Sequence, residues 1–146
     1  MRGAQLESIA DGMAITVVRT SRSSVVRNGL DFSSAIMTAT GELVGQGVSQ
    51  PFHLAGTVPA LRSCVNYYQD RIHPGDIFAN NDPYEGGSHL PEIYLFKPIF
   101  SGNVLVTYLC VMTYHVDIRG RIAGGQAFDS AEIPWNGTRG WCCATS

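Results

Sequence analysis

The sequence predicts an α+β fold in which helices pack on a mainly antiparallel sheet. One observation is a helical-period stripe of apolar residues near the start of the chain, and another is a set of β-type runs joined by short turns. The chain has 146 residues, of which 45% are hydrophobic and 15% charged, and no linker divides it. These values predict a single domain over residues 1–146 with a real hydrophobic core.

Two helices are predicted. Apolar residues recur at spacings of three and four over residues 6–18, which predicts a first helix that lies on a core. Thr57 is placed to cap a second helix, with Pro59 in its first turn, where a missing N–H group does no harm. A His-Pro-Gly sequence at residues 73–75 ends this helix.

The strands follow from runs rich in β-branched and aromatic residues. The predicted strands are residues 32–37, 43–46, 76–79, 93–100 and 104–112. Residues 93–100 and 104–112 give the clearest hairpin, and their apolar residues at nearly every position mean that both of its faces need cover. If the chain is a fragment, we expect exposed apolar patches where the rest of the subunit or its partner would sit. From about residue 134 the pattern decays, and the tail is predicted to be irregular.

Composition excludes several classes of function. The net charge is −2, with ten basic residues against twelve acidic ones and no basic stripe, so nucleic acid is not an expected partner. No apolar run approaches the roughly 20 residues that cross a bilayer, and no secretory signal is visible, so we expect a cytoplasmic protein without membrane contact. Among the four cysteines, Cys64 and Cys110 lie on apolar segments and are expected to be reduced and structural.

Chemistry-bearing residues are concentrated in two places. Asp82 and His89 lie in a loop rich in Gly and Pro, and His115 and Asp117 follow a predicted strand. The turns of the loop could bring these side chains into one space. Such a set suits a divalent Mn, Fe, Zn or Co ion, or metal-free acid–base chemistry in which Asp117 orients His115.

Simpler roles are open for each of these residues. An Asp-Pro pair such as Asp82-Pro83 often forms a turn and accepts backbone N–H groups. His89 and His115 could be ordinary hydrogen-bonded histidines. Glu92 is most simply interpreted as solvated, and His53 as a residue that satisfies backbone groups before a helix.

The sequence resembles the hydantoinase B/5-oxoprolinase family, including the N-methylhydantoinase B-like subunits, from about residue 6 to about residue 139. The resemblance is carried by several motifs in the right order: residues 74–78, 81–84, 86–91 and 115–118. Further segments of similarity are residues 31–35, 41–46, 53–54 and 129–133.

The resemblance implies a subunit several times longer that acts with an ATP-using hydantoinase A-type partner and opens a small cyclic amide, such as 5-oxoproline or N-methylhydantoin. The partner would hold the ATP, because this chain has no Walker-type loop. In carboxylase relatives this type of subunit carries a divalent metal, here Mn, Fe or Zn. The resemblance assigns the metal to Asp82, His89 and His115, and a catalytic role to His115 with Asp117.

Three positions depart from the family pattern. The family usually has a second histidine where Tyr114 stands, an aspartate where Glu92 stands and a glycine where Arg119 stands. With the short length, these departures predict the N-terminal portion of a B-type subunit, apparently truncated and inactive alone. The alternatives are a subunit of the acetone or acetophenone carboxylase type, and a non-catalytic remnant or partner-binding fragment.

Overall fold

The computed structural model describes residues 2–123, 127–132 and 140–144. It contains the helices α1 (Arg2–Thr20), α2 (Ser24–Gly29) and α3 (Leu54–Tyr68), and the strands β1 (Phe32–Thr38), β2 (Leu43–Gln46), β3 (Ile77–Asn80), β4 (Glu92–Ser101), β5 (Val104–Tyr114) and β6 (Trp141–Ala144). Short 3-10 turns lie at Pro51–His53, Gln69–Arg71 and Pro83–Glu85. The strands form one antiparallel sheet in the order β2–β1–β5–β4–β3–β6, so the predicted α+β fold is confirmed.

Helix α3 covers one face of the sheet and forms the main core with it. Its buried residues, among them Leu61 and Cys64, pack against Phe96, Tyr108 and Cys110 on the central strands. The helix begins at Leu54, so the prediction that Thr57 caps it is wrong. The Thr57 hydroxyl instead donates to the His53 carbonyl one turn earlier, at 3.2 Å, because a 3-10 turn leads the chain directly into the helix.

Helices α1 and α2 pack on the opposite face. Ala14 of α1 and Val26 of α2 bury Phe32 at the start of β1, and the Ser34 hydroxyl donates to the Ala10 carbonyl at 3.1 Å. A Cβ atom at Gly47 would lie 2.5 Å from that carbonyl oxygen, so a glycine is needed for this close approach. The short helix α2 was not predicted, because six residues carry too little periodicity to be recognised.

The two predicted hairpins are present. Strand β1 pairs with β2 through a turn in which Gly41 has φ +81°, and β4 pairs with β5 through a turn at Gly102. The β4–β5 hairpin buries one face under α3, whereas Leu95 on the other face is 39% exposed and Val106, at the irregularity opposite Ile99 and Phe100, is 52% exposed. These exposed apolar residues agree with the expectation that the hairpin lacks part of its cover among the described residues.

The tail differs in part from its prediction. Residues 133–139 lie outside the described residues, but Trp141–Ala144 form β6, which pairs with β3. The expectation of an irregular tail is therefore wrong for these four residues, because the free edge of β3 offers them backbone hydrogen bonds.

Among the described helices, none has the length and apolar character needed to cross a membrane.

The sheet order determines which residues meet. Phe32 at the start of β1 is opposite Thr113 near the end of β5, and Glu92 at the start of β4 is opposite Tyr114. The 3-10 turn at Pro51–His53 adjoins β1 and leads into α3. One end of the sheet therefore gathers residues that are far apart along the chain.

Candidate functional site

The asparagines and the aspartate at residues 80–82 fold the following loop. The Asn80 amide nitrogen donates to the Glu85 carbonyl at 2.9 Å, and the Asn81 amide nitrogen donates to the Leu90 carbonyl at 3.0 Å. Asp82, which is only 2% exposed, accepts the Tyr84 backbone N–H at 3.0 Å and so caps the 3-10 turn at Pro83–Glu85. These polar side chains are used to shape the backbone.

The same loop is held against the first half of α3. Gly86 has φ +88°, and a Cβ atom there would lie 2.6 Å from the Ala60 nitrogen and the Pro59 carbonyl carbon. The Ser63 hydroxyl donates to the Glu85 carboxylate at 2.5 Å. The loop is therefore fixed to the core, and it delivers His89 to the end of the sheet.

Four side chains from different elements meet at that end: Asp31, His53, His89 and Glu92, which we call the carboxylate–imidazole cluster. The His53 Nε2 atom lies 3.3 Å from Asp31 Oδ1 and 3.5 Å from Glu92 Oε1. The other Glu92 oxygen, Oε2, lies 3.5 Å from His89 Nδ1. Glu92 therefore bridges two imidazoles, and it is only 6% exposed.

The protonation of His53 follows from its surroundings. The Ser33 hydroxyl has one proton, which it donates to the Gln50 carbonyl, so its oxygen accepts from His53 Nδ1–H at 3.3 Å. Burial lowers the pKa of His53, and this effect exceeds the opposite effects of Glu92, Asp31 and a backbone hydrogen bond with Phe32. In the neutral imidazole, the Nε2 lone pair then faces two carboxylates.

Such an arrangement of lone pairs calls for a proton or a cation. The three nitrogen–oxygen separations, 3.3, 3.5 and 3.5 Å, each join one imidazole nitrogen to one carboxylate oxygen. Imidazole and carboxylate are ligand types that Zn, Mn and Fe accept. The donor types of the cluster therefore suit a divalent cation, whereas their placement in this structure is not that of a metal centre.

Two tyrosines enclose the cluster. The Tyr114 ring lies 5.7 Å from the His89 ring, centroid to centroid. Burial raises the pKa of Tyr114, and the charges of Asp31 and Glu92 raise it further, so this phenol faces the cluster in its neutral form. The Tyr94 hydroxyl donates to Glu92 Oε2 at 3.4 Å. Next to these groups lies a cavity of about 190 Å³ lined by His53, Gly56, Ser88, His89, Glu92 and Tyr94.

Of the residues predicted as metal ligands, only His89 belongs to this cluster. Asp82 caps a turn, and the His115 imidazole contacts Thr113 Oγ1 at 3.0 Å and lines a separate cavity with Val17 and Leu95. Across residues 2–123, 127–132 and 140–144, no group of three or more His, Cys, Asp or Glu side chains is placed to hold a metal ion, and this includes the carboxylate–imidazole cluster. The predicted set of Asp82, His89 and His115 is therefore not brought together.

Face alternation accounts for the position of His115. Successive side chains at the end of a strand point to opposite faces. Tyr114 points towards His89, so His115, which follows it, points away. Asp117 does not orient His115 as predicted, because β5 ends at Tyr114 and the Asp117 carboxylate accepts the Arg119 backbone N–H at 2.9 Å.

Three members of the cluster were missed or misinterpreted from the sequence. Glu92 is buried between two histidines and is not solvated, and the His53 side chain is buried against carboxylates. No function was predicted for Asp31. Asp31 and His53 both lie in segments that carry the family resemblance, and this was the one indication in the sequence that they belong to a site. Arg119 has a φ of +67°, a backbone conformation that favours glycine. This conformation accounts for the glycine that the family usually has at this position.

Comparisons with known proteins agree with the resemblance. A family model described as hydantoinase B/oxoprolinase matches residues 2–142. The caprolactamase subunit beta of Pseudomonas jessenii is 34% identical over 139 residues, which are 95% of this chain and 24% of that protein. A 5-oxoprolinase of Pestalotiopsis fici is 34% identical over 126 residues, which are 86% of this chain and 10% of that protein.

Solved structures give the same result. The crystal structure of the ATP-dependent caprolactamase from Pseudomonas jessenii matches 94% of this chain and 24% of that chain, with a TM-score of 0.82 and 34% identity. A nucleotide-free acetone carboxylase matches 80% of this chain and 16% of that chain, with a TM-score of 0.74, and at 21% identity this likeness concerns the fold alone. The chain spans about a tenth to a quarter of the length of these curated relatives.

Proposed function

The chain belongs to the hydantoinase B/oxoprolinase family, and we propose that it serves as the N-terminal portion of a B-type subunit in ATP-dependent hydrolytic opening of a small cyclic amide. The relatives that support this substrate class are a caprolactamase and several 5-oxoprolinases. Because the chain spans only part of their length, the activity is proposed for a larger catalytic unit that includes this chain.

The observation that carries the proposal is the carboxylate–imidazole cluster. A neutral His53 nitrogen and the carboxylates of Asp31 and Glu92 present lone pairs to one buried space. A group of this kind can take the proton of an attacking water. The water oxygen bonds to the amide carbonyl carbon and its proton passes to a carboxylate oxygen of Glu92, which delivers that proton to the ring nitrogen as the carbon–nitrogen bond breaks.

We also propose that Asp31, His53, His89 and Glu92 hold a divalent Zn, Mn or Fe ion. When bound, the ion would polarise a substrate oxygen and lower the pKa of water. Glu92 supports this assignment because it contacts both imidazoles, so one carboxylate sets the distance between them. The hydroxyl of Ser33 fixes the His53 ring so that Nε2 faces the carboxylates.

The partner in this proposal is a hydantoinase A-type subunit, which would bind ATP and activate the carbonyl. The name of the caprolactamase relative, a beta subunit, supports an assembly of at least two kinds of subunit. The exposed apolar residues of the β4–β5 hairpin, Leu95 and Val106, agree with a chain that packs against further protein. A cytoplasmic location is part of the same proposal.

The proposal can be tested in a chimera. Residues 2–142 of this chain replace the matching segment of the Pseudomonas jessenii caprolactamase beta subunit, and ATP-dependent lactam hydrolysis is measured with the rest of that enzyme. We expect turnover, and we expect Glu92→Gln to lower kcat/KM by on the order of 100-fold. Glu7→Gln, on the exposed surface of α1, is the matched control and should change it less than about 3-fold.

A correctly folded and assembled chimera without turnover would contradict the proposal. That result would favour the non-catalytic alternative, in which the chain only folds or binds a partner. Equal losses in Glu92→Gln and Glu7→Gln would contradict the assignment of the cluster while leaving the family function in place.

A further inference from the structure

Glu92 is held from a third side by a tyrosine of its own strand. Tyr94 lies two residues after Glu92 on β4, so both side chains point to the face covered by α3. The Tyr94 hydroxyl donates to Glu92 Oε2 at 3.4 Å, and Tyr94 is 1% exposed. The same oxygen faces His89 Nδ1. Tyr94 therefore contacts the carboxylate oxygen that links Glu92 to His89.

The hydroxyl of Tyr94 has room only because α3 carries a glycine at position 56. A Cβ atom at Gly56 would lie 2.5 Å from the Tyr94 hydroxyl oxygen and 3.3 Å from Cζ. Real Cβ atoms essentially never approach a heavy atom within 3.0 Å. A side chain at position 56 would therefore displace the hydroxyl from Glu92, whereas a ring without the hydroxyl would need to shift by only a few tenths of an ångström.

The Tyr94 phenol donates its hydrogen bond to the Glu92 carboxylate from a buried position. A neutral phenol can donate its single proton to a carboxylate, and bonds to charged acceptors are stronger than bonds between neutral groups. A helix glycine is otherwise unfavourable by about 1 kcal/mol relative to alanine, so its presence here has a structural reason.

We propose that Tyr94 and Gly56 form a positioning pair, in which Gly56 leaves space for the Tyr94 hydroxyl and Tyr94 fixes the Glu92 carboxylate between His53 and His89. This inference rests on the proposed metal site, because its function is to hold a ligand of that site in place. Groups that orient metal ligands typically change metal affinity by roughly 10- to 100-fold when they are removed. Tyr94 is a positioning residue, because it acts on the site through Glu92.

The pair is tested with Zn²⁺ binding to the full 146-residue chain, measured by isothermal titration calorimetry. We expect Tyr94→Phe to weaken the affinity about 10-fold. Gly56→Ala should weaken it by a similar factor, although this change adds only a methyl group. The decisive variant is Gly56→Ala/Tyr94→Phe, which should bind no more weakly than Tyr94→Phe alone, because the hydroxyl that the new methyl group would displace is already gone.

Two controls separate positioning from general damage. Gly12→Ala places a methyl group at a helix glycine with no heavy atom within 4 Å, and Tyr67→Phe removes the hydroxyl of an exposed tyrosine. Both should leave Zn²⁺ affinity unchanged, and circular dichroism should report the same fold in every variant. Binding by the wild type with unchanged affinity in Tyr94→Phe would overturn the positioning pair alone. Additive losses in the double variant would also overturn it, whereas no Zn²⁺ binding by the wild type would overturn both the metal site and the pair.

Discussion

Tyr114 and His115 are neighbours in the sequence, yet they belong to two different regions of the molecule. Tyr114 faces the carboxylate–imidazole cluster, where Asp31, His53 and Glu92 meet. His115 faces the other side of the sheet and is exposed beside Thr113. The comparison shows that a motif rich in reactive residues does not by itself form a site, because the alternation of side chains along a strand decides which of them converge.

The largest expected difference between the two regions concerns catalysis. In the caprolactamase chimera, His89→Ala should lower turnover by at least about 100-fold, because it removes one of the two imidazoles that Glu92 bridges. His115→Ala should lower it less than about 5-fold, because that imidazole hydrogen-bonds only with Thr113 among the described residues. Steady-state kinetics with saturating ATP gives both values. A greater loss in His115→Ala would indicate that the catalytic residues are His115 and Asp117, as the family resemblance implies.

A stability measurement sharpens the comparison, because the loop at residues 80–91 carries His89 to the cluster. Gly86→Ala should destabilise the chain by about 3 kcal/mol, since it combines a positive φ with a Cβ atom 2.6 Å from the α3 backbone. Gly102→Ala is the matched control: it has φ +59° and no heavy atom within 4 Å, so about 1 kcal/mol is expected. Urea unfolding followed by circular dichroism gives both free energies. Equal losses would mean that the loop is not held by α3.

The next comparison adds one histidine to β5, on the face of the cluster in one variant and on the opposite face in the other. Tyr114→His should tighten Zn²⁺ binding about 10-fold, because it adds an imidazole on the face where Asp31 and Glu92 lie. Thr113→His adds the same group on the face of His115 and should leave the affinity unchanged. Calorimetric titration measures both. Tighter binding in Thr113→His alone would show that the metal lies on the side of the sheet opposite the cluster.

The smallest effect concerns pH. Burial lowers the pKa of His53 in the folded chain below the ordinary value of 6.5. Between the folded and unfolded pKa values the unfolded chain binds more protons, so stability should fall as the pH drops below about 6.5. We expect a lower urea midpoint at about pH 5.5 than at about pH 7.5, and a smaller difference in His53→Gln. The exposed His73→Gln is the control, and a midpoint that rises on acidification would contradict the assignment.

Much of the fold followed from local patterns. The sequence predicted the α1 stripe, both hairpins and a helix close to α3, because each depends on the spacing of apolar residues or on a glycine turn. The errors lie where tertiary contacts decide. The start of α3 depends on the 3-10 turn before it, and β6 depends on the edge that β3 offers.

The candidate site was less predictable, because its members are far apart in the sequence. Only His89 was identified correctly as a member of the cluster. Glu92 was interpreted as solvated, since nothing in its neighbourhood shows that His53 will pack against it from the start of α3. Asp82 has the chemistry of a ligand, but its use as a cap depends on the fold of its own loop.

The central claim is that Asp31, His53, His89 and Glu92 form one metal-binding site. The most direct test is a crystal structure of the chain grown with Zn²⁺, with anomalous diffraction measured at the zinc edge. We predict one dominant anomalous peak within about 2.0–2.2 Å of side-chain atoms from at least three of these four residues. A dominant peak at His115 or Asp117, or an ordered cluster without any peak, would contradict the claim.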